Sequence, residues 1–336
     1  MRVILDAMGG DLAPSATVEG AVRANREFGV AVTLVGRSAE LQALLRRYGS
    51  PEGRIPIVDA PEVVVMEEHA VAAVRQRRRA SITVAMNEIK EGRGSAIVSA
   101  GHSGAVVASA LFILGRISGI DRPGIGALFP TTSGAPVLVI DVGAVSDARP
   151  RHLLHFAYLA TSYLHHVEDV AQPRIGLLSN GAESGKGNAL TRDAHALLAS
   201  AEGIKFVGNV EGNDIARGVT DAVICDGFTG NVVLKTAEGV VSLVNHSVRQ
   251  ELIRSWRTKL LAAALIPGLR RAARRLDYRE YGGAPLLGVN GNVILAHGRS
   301  EDTAIRNAIR TAARAAENDL AGCIAREISA LVPAKS

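Results

Sequence analysis

Apolar and polar positions along this chain alternate between two patterns. Short runs that are largely apolar, at Val3–Asp6, Val32–Val35, Ile55–Val58, Ala96–Ala100, Pro136–Asp141, Arg174–Ser179, Lys205–Val207, Ala222–Asp226 and Val293–His297, predict strands buried on both faces. Between them lie stretches of helical periodicity, at about 14–28, 38–48, 81–91, 104–115, 150–167, 187–202, 229–254 and 301–330. Strands of this kind separated by helices predict a largely parallel sheet covered on both sides. The expected fold is therefore α/β, a three-layer α/β/α sandwich. No Pro/Gly/Ser linker, low-complexity tract or internal repeat divides the chain. Residues 1–336 are expected to form one catalytic body, an outcome compatible with two lobes around a cleft.

One stretch imitates a membrane span. Residues 94–115 carry no Asp, Glu, Lys or Arg and are long enough to cross a bilayer. Their middle, Ser99-Ala100-Gly101-His102-Ser103-Gly104-Ala105, interrupts the apolar run with a turn, which a spanning helix does not tolerate. A buried strand, a glycine turn and a helix fit better. The N-terminus, Met1-Arg2-Val3-Ile4-Leu5-Asp6, has no apolar stretch of signal-peptide length, so a cytoplasmic protein is expected.

Composition narrows the class. With 47% hydrophobic and 21% charged residues the chain can fill a core, which excludes a disordered tail and a collagen-like rod. Two cysteines exclude a disulfide scaffold and suit a reducing compartment, and no His/Cys spacing suggests zinc. The net charge of +5 is concentrated: residues 246–280 hold nine Lys/Arg against three acids, an excess larger than that of the whole chain. The remainder is nearly neutral, which argues against a nucleic-acid binder.

Glycine, at 35 residues, is abundant and clusters where strands hand over to helices. Four such turns stand out: Asp6–Asp11 (DAMGGD), Gly101–Gly104 (GHSG), Gly181–Asn188 (GAESGKGN) and Asp226–Asn231 (DGFTGN). Turns of this kind present backbone N–H groups at helix N-termini, where phosphate and other anions bind. In an open parallel sheet the carboxyl ends of the strands form the ligand edge. The candidate binding residues are Gly9, Gly10, His102, Ser103, Gly104, Asp226 and Gly230. An alternative is a serine hydrolase, since Gly101-His102-Ser103-Gly104-Ala105 approaches a nucleophile elbow and Asp226 and His297 follow in hydrolase order. The fifth position is Ala105 rather than Gly, which weakens that match. A nicotinamide dehydrogenase lacks its Gly-x-Gly-x-x-Gly fingerprint. Cys225, in an apolar strand, reads as a small buried residue.

The same turns, with Gly119-Ile120-Asp121-Arg122-Pro123 and Tyr281-Gly282-Gly283-Ala284, make the chain resemble the bacterial phosphate acyltransferases of phospholipid synthesis, nearly end to end. The resemblance implies a homodimer folded like isocitrate and isopropylmalate dehydrogenases and phosphotransacetylase. It implies transfer of a fatty acyl group from acyl carrier protein to inorganic phosphate, with no metal, nucleotide or other cofactor. It places the family's active-site Lys and Asn on Lys186 and Asn231. The chemistry agrees with those types: phosphate is itself a nucleophile, so the enzyme needs a positive charge to hold it and a donor for the developing oxyanion. Asn231 could equally be a helix cap and Lys186 a solvated loop lysine. Asp6, Asp11 and Asp226 would repel phosphate directly and read as turn-shaping acceptors. Three positions depart from the family pattern: His102-Ser103 stands in place of Asn-Thr, Val145 in place of Asn, and Leu295 in place of a Lys.

The basic segment 246–280 reads as a projecting amphipathic helical hairpin. Leu260, Leu261 and Leu265 lie beside Arg257 and Lys259, and Pro267-Gly268 separates them from Arg270 and Arg271. Such a hairpin can pack on the body or a dimer mate, or rest on an anionic membrane with its apolar residues in the interface. The resemblance implies peripheral membrane association here. The acidic carrier protein is a second candidate for this charge, or for Arg75-Gln76-Arg77-Arg78-Arg79. A non-enzymatic lipid-binding scaffold is the remaining alternative.

Overall fold

The computed structural model describes residues 1–65, 68–253, 268 and 282–331. Its first half runs β1 (Arg2–Asp6), α1 (Ser15–Phe28), β2 (Ala31–Gly36), α2 (Ser38–Arg47), β3 (Ile57–Asp59), α3 (Ala70–Gln76), α4 (Ser81–Lys90), β4 (Ala96–Ser99) and α5 (Ser103–Ser109), which continues as a π-helical turn at Ala110–Leu114. There follow β5 (Gly124–Phe129), β6 (Val137–Ile140), α6 (Pro150–His166), β7 (Arg174–Leu178), α7 (Ala189–Ala199), β8 (Lys205–Val210), α8 (Gly212–Arg217), β9 (Ala222–Ile224) and α9 (Gly227–Ile253). The chain closes with β10 (Ala284–Leu287), β11 (Asn292–Leu295), α10 (Asp302–Glu317) and α11 (Leu320–Leu331).

These strands form one eleven-stranded sheet in the order β3-β2-β1-β4-β11-β10-β5-β6-β9-β7-β8. The expected run of parallel strands is present on both flanks, but the centre is different. β10 is antiparallel to β11 and to β5, and β5 is antiparallel to β6. Those reversals make the β6–β9–β7–β8 flank run opposite to β1, β4 and β11. The four glycine turns therefore do not share one edge of a uniform sheet.

Side-chain alternation sorts the core into layers. In β1, Ile4 joins Ile97 and Val293 beneath α3, α4, α5 and α9, while Val3 and Leu5 join Val98 and Ile294 beneath α1, α2 and α10. In β6, Val137 and Val139 face the α9 side, and Leu138 and Ile140 pack against α6, α7 and α11. Helices thus cover both faces, giving three layers. Each fully buried Leu or Ile contributes about 1.5–3 kcal/mol, and Leu5, Leu138 and Ile140 are wholly inaccessible. Among the described residues no helix is long and apolar enough to cross a membrane, and 94–115 holds a strand, a turn and a helix. The membrane-contact residues Arg257, Lys259, Leu260, Leu261, Leu265, Arg270 and Arg271 lie outside the described residues.

Candidate functional site

Two buried carboxylates shape the ends of the strands around a cleft. Asp6, at the end of β1, accepts the Ser99 hydroxyl at 2.7 Å and the Met8 N–H at 3.3 Å, and Ser99 Oγ in turn accepts the Gly101 N–H at 3.1 Å. A Cβ on Gly9 would fall 2.7 Å from Gly101 N, so the DAMGGD and GHSG turns interlock only through glycine. The Asp11 N–H donates to Gly298 O at 2.7 Å, tying both to the turn after β11. Burial pushes the Asp6 carboxyl up from its ordinary value, against its hydrogen bonds.

Asp141 does the same at the end of β6. Its carboxylate accepts backbone N–H groups of Ile125, Gly143, Ala144 and Val145 at 2.7–3.1 Å. Burial raises its pKa as well. The first turn of α9 sits directly on this structure. A Cβ on Gly227 would lie 2.5 Å from Asp141 Oδ2, and one on Gly230 only 1.9 Å from Asp141 O. Asp226 caps α9, accepting the Thr229 N–H at 2.9 Å and hydroxyl at 2.6 Å. The Val145 backbone donates to Asp141 and accepts the Gly227 N–H at 2.9 Å, while its side chain packs against the core on the α6 side.

Between these turns, over the face of β5 and β10, lies a cleft of about 610 Å³. Asp11, Gly101, Ser103 and His297 line it from one flank of the sheet, Gly143 and Asn231 from the other. Its floor is apolar, with Ile125, Val142 and Leu295. Asn231, Lys235 and Glu238, spaced four and three residues apart on α9, share the helix face that lines the cleft. Lys235 Nζ lies 2.9 Å from Glu238 Oε2 and 3.4 Å from His297 Nε2. His297 Nδ1 accepts the Arg299 N–H at 3.1 Å. The helix thus carries a donor amide and an ammonium from one flank toward an imidazole on the other.

The expected site residues separate into two groups. Ser103 and Asn231 line the cleft. Gly9, Gly10, His102, Gly104, Asp226 and Gly230 do not line it but build the turns around it. His102 caps α5, its Nδ1 accepting the Ala105 N–H at 3.3 Å. Lys186 is exposed on the turn after β7 and is not among the lining residues. That turn is two strand positions from the β6 turn, about 10 Å along the same flank. Asp226 commits both oxygens to Thr229, and His297 faces Lys235 and Glu238, so the acid of a hydrolase triad is engaged elsewhere. Cys225 is buried, and burial drives its thiol well above the ordinary value. Lys235 and Glu238 escaped the sequence reading, although their spacing from Asn231 was the available signal.

Comparison with known proteins follows the same outline. Residues 1–322 match the family described as "Fatty acid synthesis protein". A phosphate acyltransferase of Synechocystis sp. is 49% identical over 320 residues, covering 95% of this chain and 92% of its own. Another from Synechococcus elongatus is 50% identical, covering 94% and 91%, and one from Heliobacterium modesticaldum is 46% identical, covering 98% of both chains. Among solved structures, a phosphotransacetylase from Streptococcus pyogenes superposes with TM-score 0.61 at 19% identity, covering 94% of each chain. A 4-hydroxythreonine-4-phosphate dehydrogenase from Klebsiella pneumoniae gives 0.54 at 14%, covering 94% of this chain and 98% of its own. These two likenesses concern the fold.

Proposed function

The chain belongs to the family described as "Fatty acid synthesis protein", its relatives from Synechocystis sp. and Heliobacterium modesticaldum are named phosphate acyltransferases, and on that premise we propose that it transfers a fatty acyl group from acyl carrier protein to inorganic phosphate. One observation carries this reading: Asn231, Lys235 and glycine turns of both sheet flanks meet in one cleft with an apolar floor. A phosphate oxygen attacks the thioester carbonyl, the C–S bond breaks, and the carrier thiolate leaves and takes up a proton. No enzyme-bound acyl intermediate is required, because phosphate is already a nucleophile. Lys235 holds the dianion beside the turn N–H groups, and Lys186 supplies a second positive charge from the rim. The Asn231 amide donates to the carbonyl oxygen as negative charge develops on it. Leu295 and its apolar neighbours seat the start of the acyl chain.

The reading extends to assembly and location. Val240, Leu243, Val244 and Val248 expose an apolar stripe on α9, and a second copy of the chain would cover it as a homodimer. The basic segment that follows would rest on anionic lipid, leaving the enzyme cytoplasmic and peripherally attached.

The test combines purified protein, hexadecanoyl-acyl carrier protein and phosphate. Thiol release that depends on phosphate, with acyl phosphate trapped as the hydroxamate, is expected. Thiol release without acyl phosphate would establish a thioesterase instead. Asn231→Ala should lower kcat by about 10²–10³-fold with the fold retained, the usual loss for an oxyanion donor. Lys186→Ala should also slow turnover; wild-type rates would remove it from the site.

A further inference from the structure

A second concentration of charge lies away from the cleft. Arg75, Arg77, Arg78 and Arg79 crowd the end of α3 and the turn after it. Two of them have acidic partners: Arg77 pairs with Glu68, and Arg79 lies 3.6 Å from Asp59. Arg75 and Arg78 are exposed and have no acidic partner among the described residues. Arg75 instead lies over the ring of Phe112, 4.9 Å from its centroid, and that ring is itself 48% exposed. Together with Val74 and Ile113 these residues border a groove of about 420 Å³ between α3, α4 and the π-helical turn. Thr83, only 6% exposed, and Asn87 also line the groove. Two guanidinium groups without acidic partners and a half-exposed aromatic ring describe a contact surface for an acidic protein with an apolar spot.

The groove connects to the cleft. α3 packs along α5, and a Cβ on Gly104 would lie 3.2 Å from that of Ala70, at the first turn of α3. Gly104 follows Ser103, which lines the cleft. At ~1.5 Å per residue, Arg75 lies only about 8 Å further along the helix.

We propose that this arginine groove is the docking face for the acidic protein that carries the acyl thioester, placing its acyl-bearing arm along α3 toward Ser103 and the cleft. The proposal rests on the functional reading above and adds where the donor binds. Carboxylates of the partner meet Arg75 and Arg78, and an apolar side chain covers Phe112. Charge complementarity of this kind acts on encounter and register, and it weakens as salt rises.

The test compares a protein-borne donor with a small one, hexadecanoyl-acyl carrier protein against hexadecanoyl-pantetheine, both with phosphate. In the Arg75→Glu/Arg78→Glu double variant, KM for the protein donor should rise about tenfold or more, as expected when a steering charge is reversed. Turnover of the pantetheine donor should remain at the wild-type rate, which also certifies the fold. Arg75→Gln/Arg78→Gln should give an intermediate rise and a flatter salt dependence of KM. An unchanged KM for the protein donor in both variants overturns the proposal. So does an equal loss with both donors, since the arginines would then serve folding or chemistry. A wild-type enzyme that makes acyl phosphate from neither donor removes the functional reading, and this proposal with it.

Discussion

His155 shows how a buried side chain away from the cleft fixes a family turn. It lies on α6, 2% exposed, and its Nδ1 accepts the Asp121 N–H at 3.2 Å, holding the Gly119–Pro123 turn. Burial lowers its pKa to about 4, with Arg151 and His152 adding to the shift and Asp121 opposing it. The ring is therefore neutral in the fold, as its acceptor role demands, while in the unfolded chain it titrates near 6.5. The unfolded state then binds more protons between those values, so stability rises with pH across the window. Its contribution is complete above 6.5 and lost as pH falls toward about 4. Melting temperature measured from pH 7 down to 4.5 should fall less steeply in His155→Asn, whose Oδ1 stands where Nδ1 accepts from Asp121. Parallel curves for the two proteins would remove His155 as the titrating group.

At the scale of elements, the stripe on α9 has the most direct consequence. Val233, Leu234 and Ala237 turn into the core, whereas Val240, Leu243, Val244 and Val248 recur at helical spacing on the open side. Leu243 is 65% exposed, an unusual position for a large aliphatic side chain on a bare helix. Sedimentation velocity should show a wild-type dimer and a Leu243→Glu monomer that melts as a folded protein; a dimer in both would move the interface elsewhere. The register of α9 also explains what could be read beforehand. Long helices have an unmistakable period, and fully buried strands such as β1, β4 and β6 an apolar run bounded by turns. β5 and β10 do not, because Gly124 and Gly126 weaken one and Pro285 interrupts the other. Pro285 is tolerated because pairing with β5 begins one residue later, at Leu286. α3 and α8 are too short to establish a period, and the continuous pattern at 301–330 hid the break at Asp319, whose φ of 48° ends one helix before α11 begins.

Missing those two central strands had a consequence for the whole molecule. A uniformly parallel sheet would gather all four glycine turns on one edge. The reversals at β10 and β5 turn one flank around, so the cleft forms over the sheet's central face, with α9 lining it. Among the described residues two cations line this space, Arg299 and Lys235, the latter on the same helix face as Asn231, while Lys186 stands on a neighbouring turn. Both flanks border this space, Gly101 and His297 on one side and Gly143 and Asn231 on the other. A ligand that binds only the folded, closed arrangement stabilises it by mass action, by about 2.7 kcal/mol at a hundredfold excess over Kd. Phosphate should therefore raise the melting temperature of the wild-type protein with a saturating dependence on concentration. Lys235→Met should abolish the shift, and Lys186→Ala should leave a smaller one, because its charge acts from the rim. The opposite ranking would return the phosphate to the β7 turn, and sulfate serves as the control for a general salt effect. The two lysines are thus separable by binding alone, before any acyl donor is added.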